Sequence, residues 1–317
     1  MQRLVTFGET MLRLSTPEGT RLSRTDTLDV HPGGAESNVA VACSHLGIDA
    51  TWVSKLPDTD LAARITSELR GEGVDTDVVW SDEGRVGTYY LDVGGDPRGT
   101  NVIYDRADAA IRRLTIDEVP LDRIREADAF YTSGITPALS GSLAKTTAAA
   151  LADAQNADTK TYFDVNYRSK LWDPANARQT LTDLFPDVDV LFVAERDARN
   201  VLDIDGEPEA IATELTDHWD FETVVVTRSD TGSLALHDGE VFEQGIYEAD
   251  TVDAIGTGDA FVGGYVARRL QDGTVPDALA YGAATASLKR TIAGDLAVVS
   301  PEEVRAVLDE DASGISR

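Results

Sequence analysis

Apolar positions along this chain fall into short blocks separated by polar, glycine- or proline-bearing breaks, and the spacing inside the blocks alternates between two periods. Leu4 to Gly8 is a compact apolar block, which predicts a buried strand ending in Gly-Glu. From about Met11 to Val30 the chain is polar, turn-rich and loosely alternating, and Pro32-Gly33-Gly34 predicts a break before a helix over Ser37 to Leu46. Ala50 to Leu56 predicts a strand, Asp60 to Gly71 a helix, and Val78-Val79 another extended stretch. Thr88 to Val93 alternates and is rich in aromatics, Asp96 to Thr100 predicts a turn, and Asn101 to Tyr104 the returning strand of a hairpin.

From about Ala127 strand-like and helix-like blocks alternate. Ala129–Thr132, Lys160–Asp164, Val190–Val193 and Thr223–Thr227 read as strands, with helical stretches such as Ser142 to Ala154 between them. This pattern predicts an α/β fold with a mostly parallel sheet covered on both faces. Ligands of such sheets gather at the carboxyl ends of the strands, where the acid after Phe163 and the polar run after Val226 fall. The hairpin near 88–104, with part of 11–30, predicts a small second sheet able to act as a lid.

At 317 residues the chain is long enough for one large α/β domain. Its 42% hydrophobic content is ordinary, but 56 acids against 28 bases give a net charge of −28. The only lysines are Lys55, Lys145, Lys160, Lys170 and Lys289, and the acids are dispersed with no tail. Dispersed acid with few lysines fits a surface adapted to very high salt, where screening weakens self-repulsion. It argues against nucleic-acid binding, which needs basic patches. Cys43 is the only cysteine, so no intrachain disulfide is expected. The four histidines show no metal-ligand spacing. The chain runs straight into a strand and has no membrane-length apolar run, so a protein of the cytoplasm that binds no membrane is expected.

The richest segment chemically is Asp253-Ala254-Ile255-Gly256-Thr257-Gly258-Asp259-Ala260-Phe261, followed by apolar residues at helical spacing. A tight loop opening into a helix offers free amides and the positive end of the helix dipole to an anion. Asp259 adds a carboxylate at the same place. Amides that hold an anion beside a potential general base suit phosphoryl transfer to a hydroxyl. The same residues could instead be a C-cap followed by an Asp N-cap with no chemistry.

With Pro32-Gly33-Gly34-Ala35-Glu36-Ser37-Asn38-Val39-Ala40, which looks like a Gly-Gly-x-x-x-Asn-x-Ala segment, this motif resembles that of the ribokinase-like sugar kinases, the PfkB family. The resemblance covers essentially the whole chain. It implies a three-layer ribokinase-like sandwich over residues 1–317, with a β lid formed by about 11–30 and 86–106. Within the family the chain is most similar to the 2-keto-3-deoxygluconate kinases, on Gly8 to Leu14, Thr88-Tyr89-Tyr90, Tyr104-Asp105-Arg106 and Phe163 to Trp172.

The resemblance implies ATP-dependent phosphorylation of the terminal hydroxyl of a 2-keto-3-deoxy sugar acid, in Entner-Doudoroff-type breakdown. Asp259 would be the base, and the amides of Gly256, Thr257 and Gly258 would hold the transferring group. Gly34, Asn38, Tyr90, Tyr104, Arg106, Arg168 and Asp295 would join Asp259 around the sugar. Asn166, Arg168, Thr227, Ser229, Gly232, Gly256, Gly258 and Ala284 would line the nucleotide site. Mg²⁺ is implied with ATP. Potassium is a further candidate cation, either as an activator or only as a folding requirement. A true P-loop is absent, and where relatives carry Asn-x-x-Glu this chain reads Ala194-Glu195-Arg196-Asp197, so no metal ligand is assigned.

A keto acid carries a permanent carboxylate, which arginine binds bidentately, and two converging arginines would make a pocket positive in so acidic a protein. Arg13 stands where many relatives carry an acid for sugar hydroxyls, which also fits an acidic substrate. Other readings remain open. Arg106 and Arg168 could be surface partners of the abundant acids, Tyr90 and Tyr104 cross-strand packing, and Gly282 to Ser287 merely tight helix packing. A neutral-sugar kinase and a non-catalytic sensor are the competing functions. Exposed edges of the lid sheet suggest a homo-oligomer.

Overall fold

The computed structural model describes residues 2–94 and 97–313. Strand β1 (Arg3–Phe7) leads into β2 (Met11–Ser15), β3 (Asp29–Gly33), helix α1 (Ala35–His45), β4 (Asp49–Pro57), α2 (Asp60–Gly71) and β5 (Asp75–Ser81). Then come the hairpin β6 (Thr88–Asp92) and β7 (Asn101–Asp105), α3 (Leu121–Arg125), β8 (Ala129–Ser133), α4 (Ile135–Ala138), α5 (Gly141–Asn156) and β9 (Lys160–Asp164). The chain continues through α6 (Pro174–Leu184), β10 (Val190–Ala194), α7 (Glu195–Asp197), α8 (Pro208–Trp219), β11 (Thr223–Thr227), β12 (Ser233–His237) and β13 (Glu240–Gln244). It ends with α9 (Thr257–Leu270), α10 (Val275–Arg290) and α11 (Pro301–Ser313).

Nine strands form one sheet in the order β13-β12-β11-β10-β9-β8-β1-β4-β5. It is parallel from β11 to β5, with β12 and β13 antiparallel at one edge. Strand alternation sends successive side chains to opposite faces, and both faces are buried. Leu191 and Val193 join Phe130, Phe163 and Phe185 under α5, α6 and α8. Val190 and Phe192 join Tyr131, Tyr162 and Tyr265 under α1, α9 and α10. The result is an α/β sandwich of three layers.

A separate four-stranded sheet has the order β3-β2-β6-β7. Two differences from the sequence expectations matter here. Part of 11–30 supplies β2 and the start of β3, as the expected second sheet requires, but Pro32-Gly33 lies inside β3 instead of breaking the chain. Proline is tolerated because β3 is an edge strand. The polar run after Val226 hides the hairpin β12–β13, turned by Asp238 and Gly239 at positive φ. An Asp-Gly pair between alternating residues is a hairpin signal that could have been read. Asp96, in the turn foreseen between β6 and β7, lies outside the described residues.

Candidate active site

Three neighbouring cavities run along the carboxyl ends of the parallel strands, sharing walls at the start of α9. The first, of about 210 Å³, lies under the small sheet and is lined by Gly34, Asn38, Tyr104, Arg106, Arg168, Asp259 and Asp295 among others. The second, of about 470 Å³, holds Asp164, Asn166, Arg168, Asp197, Gly256, Thr257, Gly258 and Asp259. The third, of about 290 Å³, is bordered by Thr227, Ser229, Gly232, Thr257, Gly258 and Phe261. Asp259 and Arg168 border both the first and second cavities, while Thr257 and Gly258 border both the second and third.

Gly256 N-caps α9 with φ 81°, a conformation that favours glycine. A Cβ there would also lie 2.2 Å from the Asp295 carbonyl oxygen. Of the amides named from the sequence, that of Thr257 already donates to the Ala254 carbonyl at 3.4 Å; among the described residues no acceptor is seen for those of Gly256, Gly258 and Asp259, which leaves these three for an anion. Gly34 has extended backbone, and its glycine identity comes from packing, because a Cβ would stand 2.1 Å from the Glu9 carbonyl oxygen. Asn38 Nδ2 donates to Asp259 Oδ2 at 2.7 Å and so fixes the carboxylate.

Burial raises the Asp259 pKa to about 6, while the Asn38 bond and Arg168 oppose the shift. Asp164 is raised to about 7, first by burial and then by the neighbouring Asp259 charge. Asp197 is raised by burial, with Arg196 and Arg168 pulling it back. Arg168 makes no carboxylate ion pair among the described residues; its Nη1 donates to the carbonyls of Tyr167 and Asn166. Three carboxylates therefore face one unpaired guanidinium at the junction of the cavities.

The other predicted arginines differ from expectation. The Arg106 guanidinium is buried and ion-paired with Glu9, an acid at the end of β1 not singled out in the sequence. Arg13 cannot meet a substrate carboxylate: only 3% exposed, it is held at 2.6 Å by both Asp295 and Asp253 and by Ser15. Two free arginines were expected, and one stands free. Asp295 does border the first cavity, but one of its oxygens accepts from Arg13 and the other from Tyr89 at 2.5 Å.

Two further corrections are errors of phase. Tyr89, not Tyr90, lines the first cavity, because alternation in β6 turns Tyr89 and Leu91 inward and pairs Tyr89 with Tyr104 across the sheet. Ala284 is fully buried in the helical layer; the face of α10 that borders the third cavity carries Ala283, Ala286 and Ser287. Of the other residues named from the sequence, Gly34, Asn38, Tyr104, Asn166, Thr227, Ser229 and Gly232 border the cavities.

Among the described residues, no group of three or more His, Cys, Asp or Glu could hold a metal ion by itself. Two carboxylates beside the anion-binding amides, those of Asp164 and Asp197, fit a Mg²⁺ carried on phosphate oxygens, since Mg²⁺ keeps several waters and needs few protein ligands.

A helix start with unpaired amides, a half-buried carboxylate beside it and a second cavity under a small sheet are what a kinase of small hydroxylated molecules needs. The sequence profile described as "pfkB family carbohydrate kinase" matches residues 1–301, and the chain belongs to this family. It is 57% identical over 314 residues to a 2-dehydro-3-deoxygalactonokinase of Haloferax volcanii, covering 99% of each chain. It is 31% identical to a 2-dehydro-3-deoxygluconokinase of Bacillus subtilis, over 92% of this chain and 90% of that one. The crystal structure of 2-dehydro-3-deoxygluconokinase from Thermotoga maritima superposes with a TM-score of 0.92 at 34% identity, covering 97% of this chain and 98% of that one.

Proposed function

We propose that the protein transfers the γ-phosphoryl of ATP to the terminal hydroxyl of a 2-keto-3-deoxy sugar acid, 2-dehydro-3-deoxygalactonate or its gluconate epimer. The observation that carries this reading is the unpaired Arg168, which borders the cavity under the small sheet and the cavity holding the helix start. A neutral sugar would leave this guanidinium without a direct ion pair, which the carboxylate of a sugar acid would supply. Gly34, Asn38, Tyr89, Tyr104 and Arg106 complete the sugar wall. Whether Asp295 touches the sugar depends on the ligand competing with Arg13 and Tyr89 for its oxygens.

In the proposed mechanism Asp259, held by Asn38, accepts the proton of the attacking hydroxyl. The amides of Gly256, Gly258 and Asp259, at the positive end of α9, meet the charge on the transferring group. Ala283, Ala286, Ser287, Thr227, Ser229 and Gly232 form the nucleotide site, with Asn166 and Arg168 nearer the phosphates. Asp164 and Asp197 would hold Mg²⁺, which would supply charge neutralisation to the phosphates. The sheet of 11–33 and 88–105, already tied down by Arg13 and Tyr89 to Asp253 and Asp295, would keep water from the sugar.

We further infer a cytoplasmic, soluble enzyme of sugar-acid breakdown that forms a homo-oligomer through the exposed edge of the small sheet. Its charge of −28 supports adaptation to high salt, so circular dichroism should show loss of structure as salt is withdrawn. The deciding experiment is ATP-dependent phosphorylation in molar potassium chloride with the two keto acids, fructose and ribose side by side. Preference for fructose or ribose would overturn the acid-specific reading and keep the family.

A further inference from the structure

Lys289 is among the largest fully buried side chains of the protein and has no carboxylate ion pair among the described residues. It lies in the last turn of α10, yet its ammonium does not reach solvent as a lysine there usually does. Its Nζ donates to the carbonyl oxygen of Asp253 at 3.0 Å and lies 3.4 Å from that of Ile292. Those carbonyls belong to two loops that meet at the active site, the one entering α9 and the one after α10.

Both loops converge on this point through other bonds. The amides of Val252 and Asp253 donate to the Arg290 carbonyl at 2.8 and 3.1 Å. Asp253 accepts from the Ile255 amide on one oxygen, and from the Gly294 amide and Arg13 on the other. Farther along, the backbones touch so closely that Gly256 has no room for a Cβ beside the Asp295 carbonyl. Burying an ammonium is expensive unless its donors are used and opposite charge is near. Burial lowers the Lys289 pKa, and Asp253, Asp295 and Asp259 counter that shift.

We propose that Lys289 is a positioning residue for phosphoryl transfer: an internal monovalent cation that pins the carbonyl of Asp253 to the loop after α10 and so sets the direction of the amides at the start of α9. The proposal rests on the reading of that helix start as the phosphoryl site and adds to it the residue that fixes its geometry. An ammonium has three donors and no acceptor, which suits a cluster of carbonyls.

The test uses Lys289→Met, close in volume but uncharged, and Lys289→Ala, with folding followed by circular dichroism. Lys289→Met should lower kcat about a hundredfold, the scale of losing an oriented anion-stabilising donor, with the KM of the sugar unchanged. Lys289→Ala should recover about tenfold of its lost turnover in ammonium chloride but not in tetramethylammonium chloride of equal molarity. Turnover that falls only with the folded fraction, or equal turnover in the two salts, would overturn the proposal. If neither variant folds, the wild-type enzyme decides. Equal kcat of the folded enzyme in sodium, potassium and caesium chloride supports a resident cation, and dependence on one of them refutes it. Absence of wild-type turnover with every acceptor would sink the kinase reading instead, and the loop would then be read from the Kd of ATP in wild type and Lys289→Met, where unchanged affinity refutes the proposal.

Discussion

The two ends of the cleft handle charge in opposite ways. At the start of α9 the groups open to an anion are backbone amides, fixed in direction and left unpaired by the protein. Under the small sheet the charged side chains are already paired, Arg106 with Glu9 and Arg13 with Asp253 and Asp295. Arg168 alone at the boundary has no carboxylate partner among the described residues. Neutral donors can wait unpaired next to water, whereas an unpaired buried charge costs several kcal/mol, so the cations on the sugar side come with built-in counter-ions. An acidic substrate therefore meets a wall that is nearly neutral apart from Arg168. Recognition there must come from shape and hydrogen bonds, with a single ion pair.

Asp259→Asn tests the point where the two ends join and should have the largest effect, a fall in kcat of roughly a thousandfold or more with both KM values nearly kept. Near wild-type turnover would remove Asp259 from the chemistry. Arg168→Ala should lower kcat/KM for a keto acid about a hundredfold, and far less for any neutral sugar that is turned over. An equal loss for both would mean that Arg168 serves only the phosphoryl end, and the contrast between the ends would lose its sugar half. Gly256→Ala should be milder. Positive φ and the Asp295 carbonyl would strain the loop by about 1–3 kcal/mol, read as a lower Tm and a higher KM for ATP.

Asn38→Ala should have the smallest effect at neutral pH and the clearest in a pH series. Asp259 acts as its anion, so turnover falls as pH drops through its pKa of about 6. The Asn38 bond favours the charged form, hence its loss moves that limb to higher pH. A limb that stays in place would show that the proton on Asp259 is not what limits turnover.

Much of the fold was legible because both faces of the large sheet are buried. Apolar blocks such as Thr223–Thr227 and Lys160–Asp164 have the bounds the pattern predicts. The errors lie where a residue's neighbours do not reveal its phase. Tyr89 and Tyr90 are the same residue on opposite faces of β6, and only pairing with Tyr104 says which one looks inward. Helix α10 is small or apolar through Ala278 to Ser287, so no polar stripe marks which alanine borders the cavity. The glycines and Asp259 were readable because backbone geometry and a local helix start dictate them. The pairing of Arg13 and Arg106 was not, since their partners Asp295, Asp253 and Glu9 lie far from them in sequence.

One of those pairings has a kinetic side. Arg13 belongs to the small sheet, while Asp253 belongs to the loop entering α9 and Asp295 to the loop after α10, and Tyr89 ties a second strand of the sheet to Asp295. Lifting the sheet breaks these bonds together, and the exposed ions recover only part of their energy from water. The structure is latched shut from within, before any sugar arrives. Entry and departure of the sugar should then be slow beside the transfer itself, and a burst of product in the first turnover is the trace such a latch would leave.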